Sequence, residues 1–253
     1  MENYKTVAIR DSSQKKSNSN CCSNDTTDLA KVSKVLGYSS AEYNNVPEGS
    51  NLGIGCGNPQ AIASLKPGEM VLDLGSGGGF DCFLAAKSVG ETGKVIGVDM
   101  TPEMISKARN NAEKGSYTNT EFRLGDIEHL PVANTTIDVI ISNCVINLSP
   151  EKEKVFNEAY RVLKQGGRLA ISDIVSTVDL PNKLKNDVSL HCGCMAGASS
   201  ITEIHTLLVN AGFSEIKIEP KDKSREFIKD WAPNTGIENY LVSATIEAVK
   251  KGD

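Results

Sequence analysis

The sequence predicts an α/β fold with a doubly wound, mostly parallel sheet, and three observations support this prediction. From residue 70 onward, short apolar runs alternate with segments of helical character. A glycine-rich segment lies between the first apolar run and the first helical segment. Two later runs, Phe213–Glu219 and Tyr240–Val249, have the character of strands and favour an antiparallel pair at one edge of the same sheet.

The N-terminal residues differ in character from the rest of the chain. Residues 1 to about 28 are rich in Ser, Asn, Lys and Asp without apolar periodicity, which predicts a mobile arm, and a short helix is expected at Leu29–Leu36. We therefore divide the chain into an arm (residues 1–46), a cofactor-binding domain (47–176), and an insertion with a segment that completes the sheet (177–253).

The central elements follow in regular order. The segment Pro47–Pro59 holds four glycines and should be a loop. Five apolar runs predict buried parallel strands: Met70–Leu74, Lys94–Val98, Thr120–Leu124, Ile137–Ser142 and Arg168–Ile174. Four segments predict helices: Phe80–Val89, Pro102–Lys114 (with Thr101 as a possible cap), Glu151–Leu163 and Thr202–Asn210. Between the fifth strand and the last helix lies an irregular insertion that contains cysteines.

Length and charge limit the function. A chain of 253 residues can hold one substantial α/β domain with extensions. The formal net charge of -5, without a concentrated basic patch, argues against a nucleic-acid surface. The first twenty residues are polar and lack an apolar run long enough for a signal peptide or a membrane span. We expect a cytoplasmic protein with a small substrate and without nucleic-acid or membrane partners.

The glycine-rich segment has the pattern of a nucleotide-cofactor loop. Gly75, Gly77 and Gly79 stand between a strand and a helix, where the backbone must approach a ligand closely. Asp99, which closes the next strand, is placed to accept the two ribose hydroxyls, and Asp73 could meet an amino group. The alternative is that both are solvated carboxylates at strand ends. A dinucleotide fingerprint would require Gly or Ala where the chain has Phe80.

This loop resembles that of S-adenosylmethionine (SAM) dependent methyltransferases, whose cofactor domain is Rossmann-like. The resemblance continues through Gly125–Ile127 and the turn Arg161–Arg168, where Gln165 replaces the usual proline. Met100 and Met104 would line the adenine, although methionines at helical spacing are equally common in cores. The cofactor-binding residues that the resemblance implies are Asp73, Gly75, Ser76, Gly77, Gly79, Asp99, Met100, Met104, Asp126, Ile127 and Asn143.

Seven cysteines are many for a cytosolic chain, and they make thiol chemistry a candidate function. Cys82 lies in an apolar helical stretch and should be a buried packing residue. In contrast, Cys56, Cys144 and Cys194 all lie where a doubly wound sheet presents its ligand crevice. Three convergent thiolates would select a soft, thiophilic centre. A structural zinc site formed by Cys194 with Cys192 and His191 is the alternative.

The settings of these three cysteines resemble the arsenite SAM methyltransferases. The motifs that carry the resemblance are Gly55–Pro59, Leu72–Asp81, Ser142–Leu148 and Cys194–Ala198. The resemblance implies that Cys56, Cys144 and Cys194 hold trivalent arsenic, whose lone pair attacks the sulfonium methyl group without a general base. It also implies methylated arsenicals as further substrates and an external thiol reductant, such as glutathione or thioredoxin.

The same resemblance implies an N-terminal cysteine that exchanges disulfides with the arsenic-site thiols. Cys21 and Cys22 both match, and the sequence leaves open which of them acts and whether the pair is only a passive metal ligand. His129 and His205 are interpreted as surface or packing residues. Two other functions remain: a quinone-type C-methyltransferase, which leaves the three thiols unexplained, and a non-catalytic metalloid-binding protein, which leaves the cofactor loop unexplained.

Overall fold

In the computed structural model, a seven-stranded mixed sheet forms the centre of the molecule. The structure describes Lys5, residues 26–181, Leu184 and residues 194–252. The strands are β1 (Met70–Leu74), β2 (Lys94–Asp99), β3 (Thr120–Leu124), β4 (Ile137–Asn143), β5 (Leu163–Ser176), β6 (Ser214–Lys221) and β7 (Leu241–Val249). Their order is β3-β2-β1-β4-β5-β7-β6. The first five strands pair in parallel, and β7 lies antiparallel to both β5 and β6. The predicted α/β class and its antiparallel edge are confirmed.

Helices cover both faces of the sheet. They are α1 (Thr26–Val35), α2 (Ser40–Asn44), α3 (Gln60–Ala63), α4 (Phe80–Val89), α5 (Pro102–Lys114), α6 (Lys152–Val162), α7 (Ile201–Asn210) and α8 (Arg225–Trp231). On β1, Val71 packs in an apolar cluster with α4 and α5, whereas Leu72 packs in a second cluster with α6 and α7. Because successive strand residues point to opposite faces, this division defines a sheet buried on both sides.

Local sequence accounts for where several elements begin. Ser200 caps α7 by accepting a hydrogen bond from the Glu203 amide at 3.1 Å. Thr101 occupies the N-cap position of α5 with Pro102 in the first turn, but within the described chain its side chain makes no capping hydrogen bond. Instead, the Thr101 amide donates to Asp99 Oδ1 at 2.8 Å. This contact fixes the turn that joins β2 to α5.

The fifth strand starts earlier than the sequence indicates. It begins at Leu163 rather than at Arg168, although Gly166 has a φ of 76°. The Gly166 amide donates to the Lys250 carbonyl at 2.7 Å, and the Lys250 amide donates to the Gly167 carbonyl at 2.8 Å. These hydrogen bonds extend the pairing with the chain after β7, so the two glycines lie within an irregular strand rather than in a separate turn.

The segment predicted as an N-terminal arm contains ordered structure. Both α1 and α2 lie within residues 26–46, and Tyr38 between them is only 3% exposed. Cys21, Cys22, His191 and Cys192 lie outside the described residues. None of the helices within the described ranges is long and apolar enough to cross a membrane.

Candidate functional site

The candidate site lies at the carboxyl ends of the parallel strands. Asp73 near the end of β1, Asp99 at the end of β2 and Asn143 at the end of β4 line one pocket. Adjacent parallel strands end at the same edge of a sheet, which brings these distant side chains together. Of the predicted cofactor-binding residues, the pocket is lined by Asp73, Gly75, Ser76, Gly77, Asp99, Met100, Met104, Ile127 and Asn143.

The loop after β1 holds its backbone against the next strand. Gly75 and Gly77 have φ values of 71° and 50°, which side-chain-bearing residues rarely adopt. The Gly77 amide donates to Asp99 Oδ2 at 2.9 Å. A Cβ atom on Gly78 would lie 2.8 Å from the backbone oxygen of Ser50. The loop therefore packs directly against the segment that forms another wall of the pocket.

Two of the predicted cofactor-binding residues lie outside this lining. Gly79 starts α4 with a φ of 92°, and a side chain there would collide with Phe83 and Phe122. The packing of Phe83 and Phe122 beneath the loop therefore requires a residue without a side chain at this position. Asp126 is exposed, while Ile127 is buried and lines the pocket.

Buried carboxylates give the pocket an acidic character. Desolvation raises the pKa of Asp73 well above its usual value, and the nearby Asp81 carboxylate raises it further. Desolvation also raises the pKa of Asp81 to about 6, although hydrogen bonds from Tyr38, Asn143 and Gln60 oppose that shift. Burial likewise raises the pKa of Asp99. A cationic ligand would stabilise the ionised form of these groups.

Cys56 and Cys144 converge beside this pocket. Their Sγ atoms and a carboxylate oxygen of Asp173 all lie within 4.8 Å of one another, and all three residues are buried. Cys56 precedes α3, Cys144 directly follows β4, and Asp173 lies on β5. Cys144 also lines the pocket at the strand ends, so the thiol cluster and that pocket share a wall.

Cys194 joins the cluster from the late insertion. Its Sγ atom donates to the Cys144 carbonyl at 2.7 Å, and its side chain is buried. Cys144 and Cys194 have φ values of 61° and 62°, an uncommon conformation for residues other than glycine. Two strained cysteines in contact at the end of a sheet are typical of a functional site.

The surroundings of Cys56 and Cys144 favour the protonated thiol, because they raise the pKa of both groups. Burial raises the pKa of Cys56, with Asp173 and Cys194 adding unfavourable negative charge. A hydrogen bond with Cys194 favours the Cys144 thiolate, but the hydrogen bond with Cys56 and burial outweigh it and raise the pKa of Cys144 well above its ordinary value. Apolar neighbours that include Met195 and Ile228 surround all three cysteines. A ligand that replaces the thiol protons without leaving net charge would suit this environment.

The remaining candidates have simpler surroundings. Cys82 is fully buried in α4, and its Sγ atom donates to Asp73 Oδ2 at 3.2 Å. His129 and His205 are exposed. The four described cysteines, including Cys82, form no disulfide with one another.

Sequence reasoning missed three residues of the site. Asp81 lines the pocket, Asp173 lies in the thiol cluster, and the Tyr38 hydroxyl donates to both carboxylate oxygens of Asp81 at 2.9 and 3.1 Å. A carboxylate inside the apolar run of β5 was the available signal for Asp173, since such a residue needs buried partners. Tyr38 gave no comparable signal because its partner is 43 residues away.

Comparison with known proteins shows the class of protein to which this chain belongs. Residues 65–212 match the family model described as a methyltransferase domain. An arsenite methyltransferase from Halobacterium salinarum is 56% identical over 230 residues, covering 91% of this chain and 58% of the relative. The human arsenite methyltransferase is 41% identical over 152 residues, covering 56% of this chain and 40% of the relative. The chain therefore has a methyltransferase fold.

The crystal structure of an arsenic(III) S-adenosylmethionine methyltransferase from Chlamydomonas reinhardtii narrows the assignment. It superposes on this chain with a TM-score of 0.64 at 33% sequence identity. The match covers 87% of this chain and 73% of the Chlamydomonas chain. The chain belongs to the arsenite methyltransferase family, as its cysteine motifs predicted. It spans about half the length of the curated relatives it matches.

Proposed function

We propose that the protein transfers the methyl group of SAM to trivalent arsenic held by Cys56, Cys144 and Cys194. The observation that carries the proposal is the shared wall: Cys144 belongs both to the thiol cluster and to the pocket formed by the glycine loop. A bound metalloid would therefore lie next to the cofactor. No second function has comparable support, because other acceptors leave the buried thiols unexplained.

The pocket has the chemistry that SAM requires. We assign ribose binding to Asp99, which lines the pocket and accepts hydrogen bonds from the Gly77 and Thr101 amides. Asp73 and Asp81 offer negative charge to the cationic methionine end. Among the described residues, the buried Ser76 hydroxyl has no hydrogen-bond partner, which suits a site completed by a polar ligand. When bound, SAM supplies an electrophilic methyl group on its sulfonium.

The three thiols suit arsenite because binding balances protons and charge. Replacing three arsenic-bound hydroxides by three thiolates converts the thiol protons and hydroxides into three water molecules, and the tris-thiolate complex is neutral. Burial therefore opposes free thiolates at Cys56 and Cys144 without opposing the arsenic complex. Sulfur ligands also match a soft centre.

Methyl transfer then depends on alignment. The arsenic lone pair forms the new carbon bond, and the sulfonium sulfur takes the electron pair of the bond that breaks. The protein holds the partners in line and excludes water, which replaces a bimolecular encounter by a step within one complex. Because the nucleophile carries no proton, no general base is needed.

Transfer would leave arsenic with four bonds and a positive charge. Attack by a further thiol on one arsenic-bound sulfur would form a disulfide, return the As–S electron pair to arsenic and release the thiol proton, so that arsenic is trivalent again. Exchange of the two remaining thiolates would then release the product, and reduction of the disulfide would reset the site. We assign disulfide exchange to Cys21 or Cys22 and final reduction to an external thiol such as glutathione or thioredoxin, with arsenite and methylated arsenicals as substrates. A cytoplasmic location fits this assignment, because that compartment keeps thiols reduced. We keep the proposed division into residues 1–46, 47–176 and 177–253, with the arm carrying the exchanging cysteine.

The direct test measures methyl transfer from labelled SAM to arsenite in excess thiol, with separation of the methylated products. We expect the full chain to form methylated arsenic and the Cys56→Ser and Cys144→Ser variants to lose this activity while still binding SAM. Cys82→Ser is the matched control, because it removes a buried thiol outside the cluster and keeps a donor for Asp73. SAM binding without arsenic methylation by the reduced, folded protein would refute the proposal.

A further inference from the structure

Within the thiol cluster, the buried carboxylate of Asp173 joins two chain segments. Asp173 is 1% exposed. Its Oδ2 atom accepts a hydrogen bond from the Ile146 amide at 2.9 Å, and Oδ1 accepts from the Ile174 amide at 2.7 Å and from Asn147 Nδ2 at 2.9 Å. Asn147 Nδ2 also donates to the Ile174 carbonyl at 2.6 Å. Asp173 and Asn147 thus fix the loop after Cys144 onto β5.

The same loop contacts the segment that carries Cys194. A Cβ atom on Gly197 would collide with the backbone oxygen of Asn147, so the two segments touch backbone to backbone there. Close by, Cys194 Sγ reaches the Cys144 carbonyl. The position of the Asn147 backbone therefore determines how closely Cys194 can approach Cys144.

The loop also has to hold Cys144 in an unfavourable conformation. The φ of 61° at Cys144 persists only where surrounding contacts impose it. On one side, the Cys144 amide donates to the Ser172 carbonyl at 2.8 Å. On the other side, the next restrained groups are the Ile146 amide and the Asn147 side chain, both bound to Asp173. Asp173 and its partners therefore restrain the chain immediately after the strained cysteine.

We propose that Asp173 and Asn147 are positioning residues that set the separation of the Cys144 and Cys194 thiols for three-sulfur binding of the substrate metalloid. The inference rests on the proposed function. Neither residue ligates arsenic; each acts through the backbone of the cysteine segments. Groups that orient ligands in this way typically change affinity by about 10–100-fold when they are removed.

Three variants of the 253-residue chain test the inference. Asn147→Ala removes two donors. Asp173→Asn keeps the shape but directs an NH₂ group at a backbone amide, because both carboxylate oxygens accept from N–H groups. Gly197→Ala removes no polar group and instead pushes the two segments apart. The matched control is Asn119→Ala. Asn119 directly precedes β3, away from the thiol cluster, and its Nδ2 atom also donates to two carbonyls, those of Ala86 and Gly90.

The measurements are arsenite affinity, SAM affinity, and the number of sulfur atoms around arsenic from X-ray absorption. We expect each of the three variants to bind arsenite about 10–100-fold more weakly. The sulfur count should fall from three toward two, with SAM affinity unchanged. Asn119→Ala should retain three sulfurs and the original arsenite affinity.

Three-sulfur coordination and unchanged arsenite affinity in Asn147→Ala and Gly197→Ala would overturn the inference and leave the proposed function intact. An equal loss of SAM and arsenite binding, or the same loss in Asn119→Ala, would also overturn it, because the effect would then come from general destabilisation. If the unaltered protein bound no arsenite, the proposed function would fail as well, so the two failures are distinguishable.

Discussion

The side-chain amide of Asn143 joins Tyr38 to the loop that carries the first thiol. Asn143 Nδ2 donates to the Tyr38 hydroxyl at 3.0 Å and to the Gly57 carbonyl at 2.7 Å. Asn143 Oδ1 accepts from the Cys56 amide at 3.0 Å. One residue at the end of β4 thus connects the segment before α2, the cofactor pocket and the thiol cluster. Tyr38 also holds Asp81, so a single hydroxyl supports both halves of the site.

Replacing Tyr38 by Phe should weaken both the fold and cofactor binding. The variant leaves Asp81 without its phenolic donor and leaves one Asn143 N–H without its acceptor. Loss of a partner to a buried polar group costs about 1–3 kcal/mol, so we expect the free energy of unfolding in urea to fall by that amount. We also expect the dissociation constant for SAM to rise, because Asp81 and Asn143 line the pocket.

Tyr43→Phe is the matched control for this substitution. Its hydroxyl makes an exposed contact with Ser40 Oγ at 3.3 Å, outside the pocket. We expect urea unfolding and SAM titration of Tyr43→Phe to coincide with those of the unaltered protein. Equal behaviour of the two Phe variants would show that the Tyr38 hydroxyl carries no such role.

The affinity for SAM should increase as pH rises through about 6. Burial raises the pKa of Asp81 to about 6 in the free protein, and it also raises the pKa of Asp73. Below this pH the Asp81 carboxyl is protonated and offers no charge to the cationic ligand. Above it Asp81 ionises, and the bound cation favours ionisation further, so binding releases protons in this pH range. Calorimetry in buffers of different ionisation enthalpy counts the released protons.

Asp81→Asn separates this effect from general pH sensitivity. The variant keeps the shape of the side chain but cannot ionise, so its SAM affinity should be lower at pH 7 and should vary less between pH 5 and 7. Asp222→Asn provides the control, because Asp222 is exposed and lies outside the pocket. Affinity that stays flat from pH 5 to 7 in the unaltered protein would contradict the prediction.

The central sheet could be predicted because its signals are local. The runs at β1 and β3 and the helices α4 and α5 have the predicted bounds, because apolar runs and helical periodicity are local features of the sequence. The prediction that all five parallel strands are buried is wrong for β3, which lies at the edge of the sheet and buries only Phe122. The irregular start of β5 could not be predicted in this way. It depends on hydrogen bonds between Gly166, Gly167 and Lys250, which are distant in sequence.

The same distinction between local sequence signals and long-range contacts applies to the residues of the site. Glycine and cysteine patterns identified the loop and the thiols, because few other requirements place such residues at strand ends. The supporting residues Tyr38, Asn147 and Asp173 are ordinary residue types, and their roles arise only from tertiary contacts. Asp126, which the family resemblance implies as a cofactor-binding residue, is exposed beside the pocket. Its role stays a prediction.

The substitution Gly78→Ala should reduce the affinity for SAM, because the added methyl group would collide with neighbouring backbone atoms. Gly78 lies in the cofactor loop, and a Cβ atom there would lie 2.8 Å from the Ser50 carbonyl oxygen and 3.3 Å from that of Gly49. These are backbone atoms that cannot rotate away. Overpacking of this kind costs about 1–3 kcal/mol, and here the loop and the Ser50 segment must separate. Since both line the pocket, SAM titration should detect the change.

Gly90→Ala distinguishes this steric effect from the general cost of replacing a glycine. Gly90 follows α4 with a φ of 67°, and a Cβ atom there meets nothing within 4 Å. Its ψ is -171°, and this combination of backbone angles is essentially restricted to glycine, so the variant should lose about 1–3 kcal/mol of stability through backbone strain. It should bind SAM normally, because its strain lies outside the pocket. Gly78→Ala should lose more SAM affinity than Gly90→Ala, although its cost in backbone strain is equal or smaller. If both variants bind SAM equally well, the contact between the cofactor loop and Ser50 does not shape the pocket.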